Sequence, residues 1–277
     1  MSQRIVENNQ KRTLPPQEEP KGSLRENLPT MYDLPSEEVG ESGLPDEFHV
    51  FQSQLLRETF QPLNYSADEV FIGTDINLYF DENHTRWYRR PDWFASVGVP
   101  RLYDRKDLRL SYVVWQEQVN PLIVVELLSP STEKEDLGQV TKDDKEIPTK
   151  WDVYEKILRV PFYFTYDHLT QQIHAFRLEG DVYASFLAND ETRFLIPNVG
   201  LYLGLWQGCY QNINETWLRW FDGQGIVIPT PLEKEAQEKE RERAEKEHER
   251  AEKEALADKL ATLNAKLIAM GIDPNNL

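Results

Sequence analysis

Three features of this 277-residue chain predict an α/β (α+β) fold, a single sheet-centred core followed by a long C-terminal helix. Pro121-Leu-Ile-Val-Val-Glu-Leu-Leu128 is an almost continuous apolar run, as expected of a central strand buried on both faces. Stretches with apolar residues at helical spacing stand on either side of it, at 46–60 and 150–158. From Glu233 the composition changes to Ala, Glu, Lys and Arg, which favour helix but supply little to bury. With 39% hydrophobic residues, 12 Tyr, 12 Phe and 7 Trp, the chain can bury one real core, and its length favours one domain with appendages.

Residues 1–45 are polar and carry Pro15, Pro16, Pro20, Pro29, Pro35 and Pro45, which interrupt any helical period; a flexible acidic arm is expected. Asp46 then caps a helix with Phe48, Phe51, Leu55, Leu56 and Phe60 on one side, placed to cover a sheet. Residues 69–80 alternate, with Val70, Ile72, Thr74, Ile76, Leu78 and Phe80 on one side, and read as one strand; 92–99 is a shorter one. After the central strand, Ser129-Pro-Ser-Thr132 ends it and a polar insertion follows. The helix at 150–158 then turns Trp151, Tyr154, Ile157 and Leu158 inward.

Strands follow at 162–166, 172–178 and 182–187, the last two joined by a Glu179-Gly180-Asp181 hairpin turn. A final hairpin is expected between 216–221 and 226–228, after which Pro229 and Pro231 close a domain spanning 46–230. The tail, 231–277, carries Glu235/Lys239, Glu242/Lys246 and Glu249/Lys253 pairs, each contributing about 0.2–0.5 kcal/mol. Leu256, Leu260, Leu263, Leu267 and Met270 form a short coiled-coil seam, a route to a homo-oligomer.

A formal net charge of -17 opposes the attraction that supplies most nonspecific nucleic-acid affinity. Part of the excess lies outside the core, since residues 1–47 hold ten acidic against five basic side chains. No apolar run has the length of a signal peptide core or a membrane span, so a cytoplasmic protein without membrane partners is expected. The single cysteine, Cys209, excludes an internal disulfide and a thiolate metal site and reads as a packing residue.

Glu126 is the most informative residue, because a carboxylate inside an apolar strand loses hydration unless a cation or donor replaces it. The alternative is a Glu126 at the strand end, exposed or salt-bridged to an arginine. Asp92 opens another short strand; if the two strands are neighbours, both carboxylates can converge on one hard cation, magnesium or manganese. Asp75 and Asp81 carry less weight, Asp75 lying on the polar side of its strand. His49, His84, His168 and His174 form no ligand spacing and have no partner nearby in sequence, which suits surface or core roles. Arg86, Arg89 and Arg90 form the densest basic cluster beside a proposed ligand, suited to a phosphate backbone or to solubility.

Pro91-Asp92, Val124-Val-Glu-Leu-Leu-Ser-Pro-Ser-Thr132 and Lys150-x-x-x-Tyr154 together resemble the pattern of the Uma-two family in the PD-(D/E)XK nuclease superfamily. Gly73-Thr-Asp-Ile-Asn-Leu-Tyr79, Val99-Pro-Arg-Leu-Tyr-Asp104, Leu158-Arg-Val-Pro161 and Leu203-Gly-Leu-Trp-Gln-Gly208 extend the resemblance over about 34–231. It implies a restriction-endonuclease-like mixed sheet flanked by helices. It also implies an aspartate and a glutamate, here Asp92 and Glu126, holding magnesium with the backbone carbonyl of Leu127, and a lysine completing a site for phosphodiester cleavage, with DNA as the expected partner and RNA as the alternative.

Two residues after Glu126, where the superfamily carries its lysine, stands Leu128. The resemblance therefore requires a migrated lysine. Lys150 matches that position; a solvent-facing Lys150 is the alternative, with Lys156 as the fallback and Lys142 and Lys145 in the polar insertion behind it. Two functions follow: a metal-dependent endonuclease, or an inactive nuclease fold that binds partners through its helical tail.

Overall fold

The computed structural model describes Pro29, Met31, Leu34 and residues 46–140 and 147–270, so the arm expected at 1–45 falls almost wholly outside the described residues, as do Lys142 and Lys145. Helix α1 (Glu47–Thr59) starts where the sequence predicts it: the Asp46 side chain accepts the His49 backbone N–H, satisfying a donor that the first turn leaves over. Its Gln52 amide both donates to and accepts from the backbone of Leu218, so α1 is pinned as well as packed.

The strand expected at 69–80 is two strands in different sheets: β1 (Val70–Gly73) and β2 (Leu78–Tyr79). The chain turns between them at Asp75, which adopts a left-handed φ of 48° and is ion-paired to Arg90 at 2.8 Å. Alternation persists across that corner, so apolar pattern alone does not reveal it. Next come β3 (Tyr88–Arg89), β4 (Trp93–Val97), β5 (Tyr112–Val113), the short α2 (Val114–Glu117) and β6 (Ile123–Leu127). After β6 stand α3 (Glu133–Asp136) and α4 (Lys150–Asp152), the latter running into a π-turn at Val153–Ile157. The rest is β7 (Phe162–Asp167), β8 (Gln172–Glu179), β9 (Val182–Ser185), β10 (Arg193–Ile196), β11 (Leu201–Tyr210), β12 (Ile213–Phe221) and α5 (Pro231–Ala269).

The principal sheet has the order β1-β4-β6-β7-β8-β9, with β6 and β7 parallel and every other pair antiparallel. Period-two alternation divides its side chains between two core layers. Ile123, Val125 and Leu127 face the layer of Leu56, Phe60, Trp93, Leu218 and Trp220; Val124 faces that of Phe94, Val153, Tyr154 and Tyr163. A side chain fully buried in either layer contributes about 1.5–3 kcal/mol. Glu126 shares the Val124 parity and so emerges on the α4 side.

The remaining strands form the sheets β10-β11-β12 and β3-β2-β5. β12 pairs along its length with β11, so the last hairpin expected from the sequence survives only as the bridge Phe221 to Val227. Cys209 lies exposed on β11 and is not a packing residue. No side chain of α5 is buried, and the Leu256, Leu260 and Leu263 seam is more than half exposed. Among the described residues no helix is long and apolar enough to cross a membrane.

Candidate active site

Neighbouring strands bring the acidic pair together. β4 and β6 run antiparallel with Trp93 opposite Val125 and Phe94 opposite Val124, and extending that register by one residue sets Asp92 against Glu126. The backbone ties them further: Leu127 N–H donates to Asp92 Oδ2 at 2.7 Å, and Asp92 N–H points to Glu126 Oε2 at 3.3 Å. Glu126 is fully buried, which removes the reading of an exposed or arginine-paired carboxylate.

Its cation is Lys150. Thr149 caps α4, its hydroxyl accepting the Asp152 N–H, and Lys150 at the first turn places Nζ 3.1 Å from Glu126 Oε2 and 2.9 Å from Asp136 Oδ1. Tyr154, one turn later, donates its hydroxyl to Glu126 Oε1 at 2.7 Å. α3 and α4 approach closely because Gly138, at φ +69°, lies under the Trp151 ring; a Cβ there would stand 2.6 Å from it. The π-turn, closed by Leu158 N–H on Val153 C=O, shifts the helical register. Tyr154 and Leu158 thus face the core, whereas Ile157, expected inside, is exposed. Leu128, in the usual lysine position, is buried as an apolar side chain. Lys156 points away and pairs with Asp152 at 2.6 Å.

Charge in this cluster is unbalanced. Burial pushes the Glu126 carboxyl up to about 7, with Lys150 pulling it down and Asp92 adding to the rise. Burial also raises Asp136, to about 6, against the same lysine, and raises Asp92. Although burial opposes its charge, the Lys150 ammonium is raised above its ordinary value by Asp136, Glu126 and Asp92. Three carboxylates therefore share one ammonium. That deficit of positive charge, in a cluster whose free donors are oxygens, fits a hard divalent cation. Among the described residues no three His, Cys, Asp or Glu side chains are placed to hold one ion, but magnesium needs only one or two carboxylates and keeps several waters.

The Uma2 family model, described as "Putative restriction endonuclease", matches residues 22–213, well over half of the chain. The chain belongs to the Uma2 family. No curated protein matches it.

Other residues singled out in this Uma2 chain fall differently. The Leu127 carbonyl is met by His49 Nε2 at 3.1 Å, and the Nδ1 of that ring lies 2.7 Å from Asp46 Oδ1, so His49 does have a partner close in sequence. Arg89 donates to the Pro148 carbonyl and pairs with Glu135 at 2.9 Å, while Arg90 is held by Asp75; both guanidinium groups brace the loops around the site. Arg86 is exposed. Asp136 is the residue that sequence reasoning passed over. Asp136 ends the run Glu133-Lys-Glu-Asp136, which looks solvated, whereas Tyr154 stands in the Lys150-x-x-x-Tyr154 pattern without a role for its hydroxyl.

Proposed function

We propose that this protein is a magnesium- or manganese-dependent endonuclease that hydrolyses phosphodiester bonds, with DNA as its expected substrate and RNA as the alternative. The observation that carries the reading is the meeting of Asp92, just before β4, with Glu126 of β6 and Lys150 of α4, with Lys150 supplying from a helix the charge that Leu128 cannot. Asp92, Glu126 and the Leu127 carbonyl would hold the cation, which when bound polarises a phosphoryl oxygen and acidifies water. Lys150 positions the attacking water or stabilises charge on the phosphate, held in place by Asp136. Tyr154 orients Glu126 through one oxygen. Arg86 is the exposed arginine left to meet a phosphate backbone.

A panel of single- and double-stranded DNA and RNA incubated with magnesium or manganese tests this. Wild type is expected to degrade at least one member, and the double Asp92→Ala, Glu126→Ala variant none. Equal degradation by both, or none by wild type with either ion, would remove the assignment. The second outcome favours a noncatalytic protein that binds partners through α5, a reading supported by the exposed Leu256, Leu260 and Leu263 seam and the net charge of -17.

A further inference from the structure

α1 packs on the face of the principal sheet opposite α4, yet two of its buried polar side chains reach the backbone of the strands that carry the acidic pair. His49 Nε2 meets the Leu127 carbonyl at the end of β6 at 3.1 Å, and Ser53 Oγ donates to the Asp92 carbonyl at the start of β4 at 3.2 Å. The two residues are four apart and so lie on one stripe of the helix, and they are 1% and 0% exposed. Gln52, between them, is locked to Leu218, which leaves α1 little freedom to slide.

The partners of His49 define which nitrogen donates to the strand. Nε2 faces a carbonyl oxygen, which only accepts, and Nδ1 faces Asp46 Oδ1 at 2.7 Å. A carbonyl oxygen only accepts, so the contact with Leu127 requires Nε2 to carry its proton. Asp46, on Nδ1, orients the ring so that Nε2 points at that carbonyl. Ser53 needs no such help, since its hydroxyl is a donor in any state.

We propose that α1 is a clamp for the acidic pair, in which the Nε2–H of His49 and the hydroxyl of Ser53 grip the Leu127 and Asp92 carbonyls and so set the spacing of Asp92 and Glu126. His49 and Ser53 are positioning residues, acting through the backbone, and Asp46 holds the His49 ring in place through Nδ1. The Leu127 carbonyl has a second lone pair, so the His49 bond leaves it able to serve a cation. The inference rests on the reading of Asp92 and Glu126 as the cation-holding pair.

Calorimetric titration of the full chain with manganese decides it. His49→Phe keeps ring volume and removes the Nε2 donor; its affinity is expected to fall about 10-fold or more, as for partners that orient metal ligands. His49→Gln retains an N–H for the Leu127 carbonyl and is expected to recover most of that loss, and Ser53→Ala to lose less than His49→Phe. In nitrogen-15 spectra of the wild type, His49 Nε2 should carry a proton and its signal should move when magnesium is added. Manganese affinity unchanged in His49→Phe but abolished in Asp92→Asn would overturn the clamp and leave the cation site standing. A wild type that binds no manganese would overturn the cation site and the clamp with it. Should His49→Phe not fold, a His49 spectrum in which Nε2 carries no proton refutes the clamp unaided.

Discussion

Glu126 and Lys150 meet out of water, with side chains 0% and 14% exposed, whereas Glu249 and Lys253 on α5 meet at 3.8 Å with both more than two-thirds exposed. The residue types are the same and the physics differs. On α5, hydration already satisfies each charge, so an i,i+4 pair contributes a few tenths of a kcal/mol and salt screens it. In the cluster of Asp92, Glu126, Asp136 and Lys150, desolvation costs each ion several kcal/mol, and pairing offsets this only while every partner is present. Apolar residues would fill that space at less cost. A buried, unbalanced set of charges is better explained by chemistry than by stability, and a solvated helix of pairs by solubility or partner binding.

Removing a lysine from each setting gives the largest expected contrast. Lys150→Met leaves Glu126 and Asp136 buried without their cation and should destabilise the protein by about 3–5 kcal/mol near neutral pH, read by chemical denaturation. Cleavage should fall by about 100-fold or more if Lys150 stabilises charge on the phosphate. Lys156→Met removes only the exposed pair with Asp152, and should change stability by less than about 0.5 kcal/mol and cleavage little. Equal effects of the two substitutions would break the contrast.

The raised carboxyls sharpen the same comparison through pH. Glu126, at about 7, and Asp136, at about 6, keep protons in the folded state that the unfolded chain has already released. Between their unfolded values and these, the folded state binds more protons, so stability falls as pH rises through the window and levels off above it. Without divalent cation, the wild type should therefore lose roughly 1–3 kcal/mol between about pH 5 and about pH 8. Glu126→Gln should flatten most of that slope, and magnesium should restore stability at the upper end. A slope unchanged in Glu126→Gln would mean that Glu126 is not the group that retains its proton.

The sequence shows one half of this site plainly and hides the other. Glu126 stands out because Leu122-Ile-Val-Val125 precedes it, a local pattern that needs no knowledge of neighbours. Asp92 lies 34 residues away, and only the antiparallel pairing of β4 with β6 sets it opposite. Lys150 rests on family resemblance, since nothing in its own surroundings tells it from Lys156. Asp136 is disguised by its charged neighbours, and burial of that turn depends on Gly138 passing under Trp151. The fold shows the same division. α1, β6 and the β8–β9 hairpin follow from caps, apolar runs and turn residues, while the corner at Asp75 and the π-turn before Leu158 are set by tertiary contacts. β11, carrying Gly204 and Gly208, escapes a pattern search although it pairs with β12 from Tyr202 to Tyr210.

The smallest expected effect concerns where the exposed region begins, and it moves the proposed boundary at 231. α5 opens with a capping box in which Thr230 and Glu233 satisfy each other's N–H groups. Glu233 also grips Arg219 of β12, a guanidinium 1% exposed that stacks on Trp206 with Cζ 4.2 Å from the ring centre. The first turn of α5 thus belongs to the core, although the helix beyond it does not. A chain ending at Glu235 should unfold cooperatively with stability close to that of the full protein, because the i,i+4 pairs it lacks touch only one another. A chain ending at Thr230 lacks Glu233, leaves Arg219 buried without its carboxylate, and should be less stable than the Glu235 form by about 1–2 kcal/mol, a figure moderated by the partial exposure of Glu233. Urea denaturation of the two truncated chains measures the difference. Identical midpoints would return the boundary to 231, and loss of cooperative unfolding in the Glu235 form would tie the whole of α5 to the core.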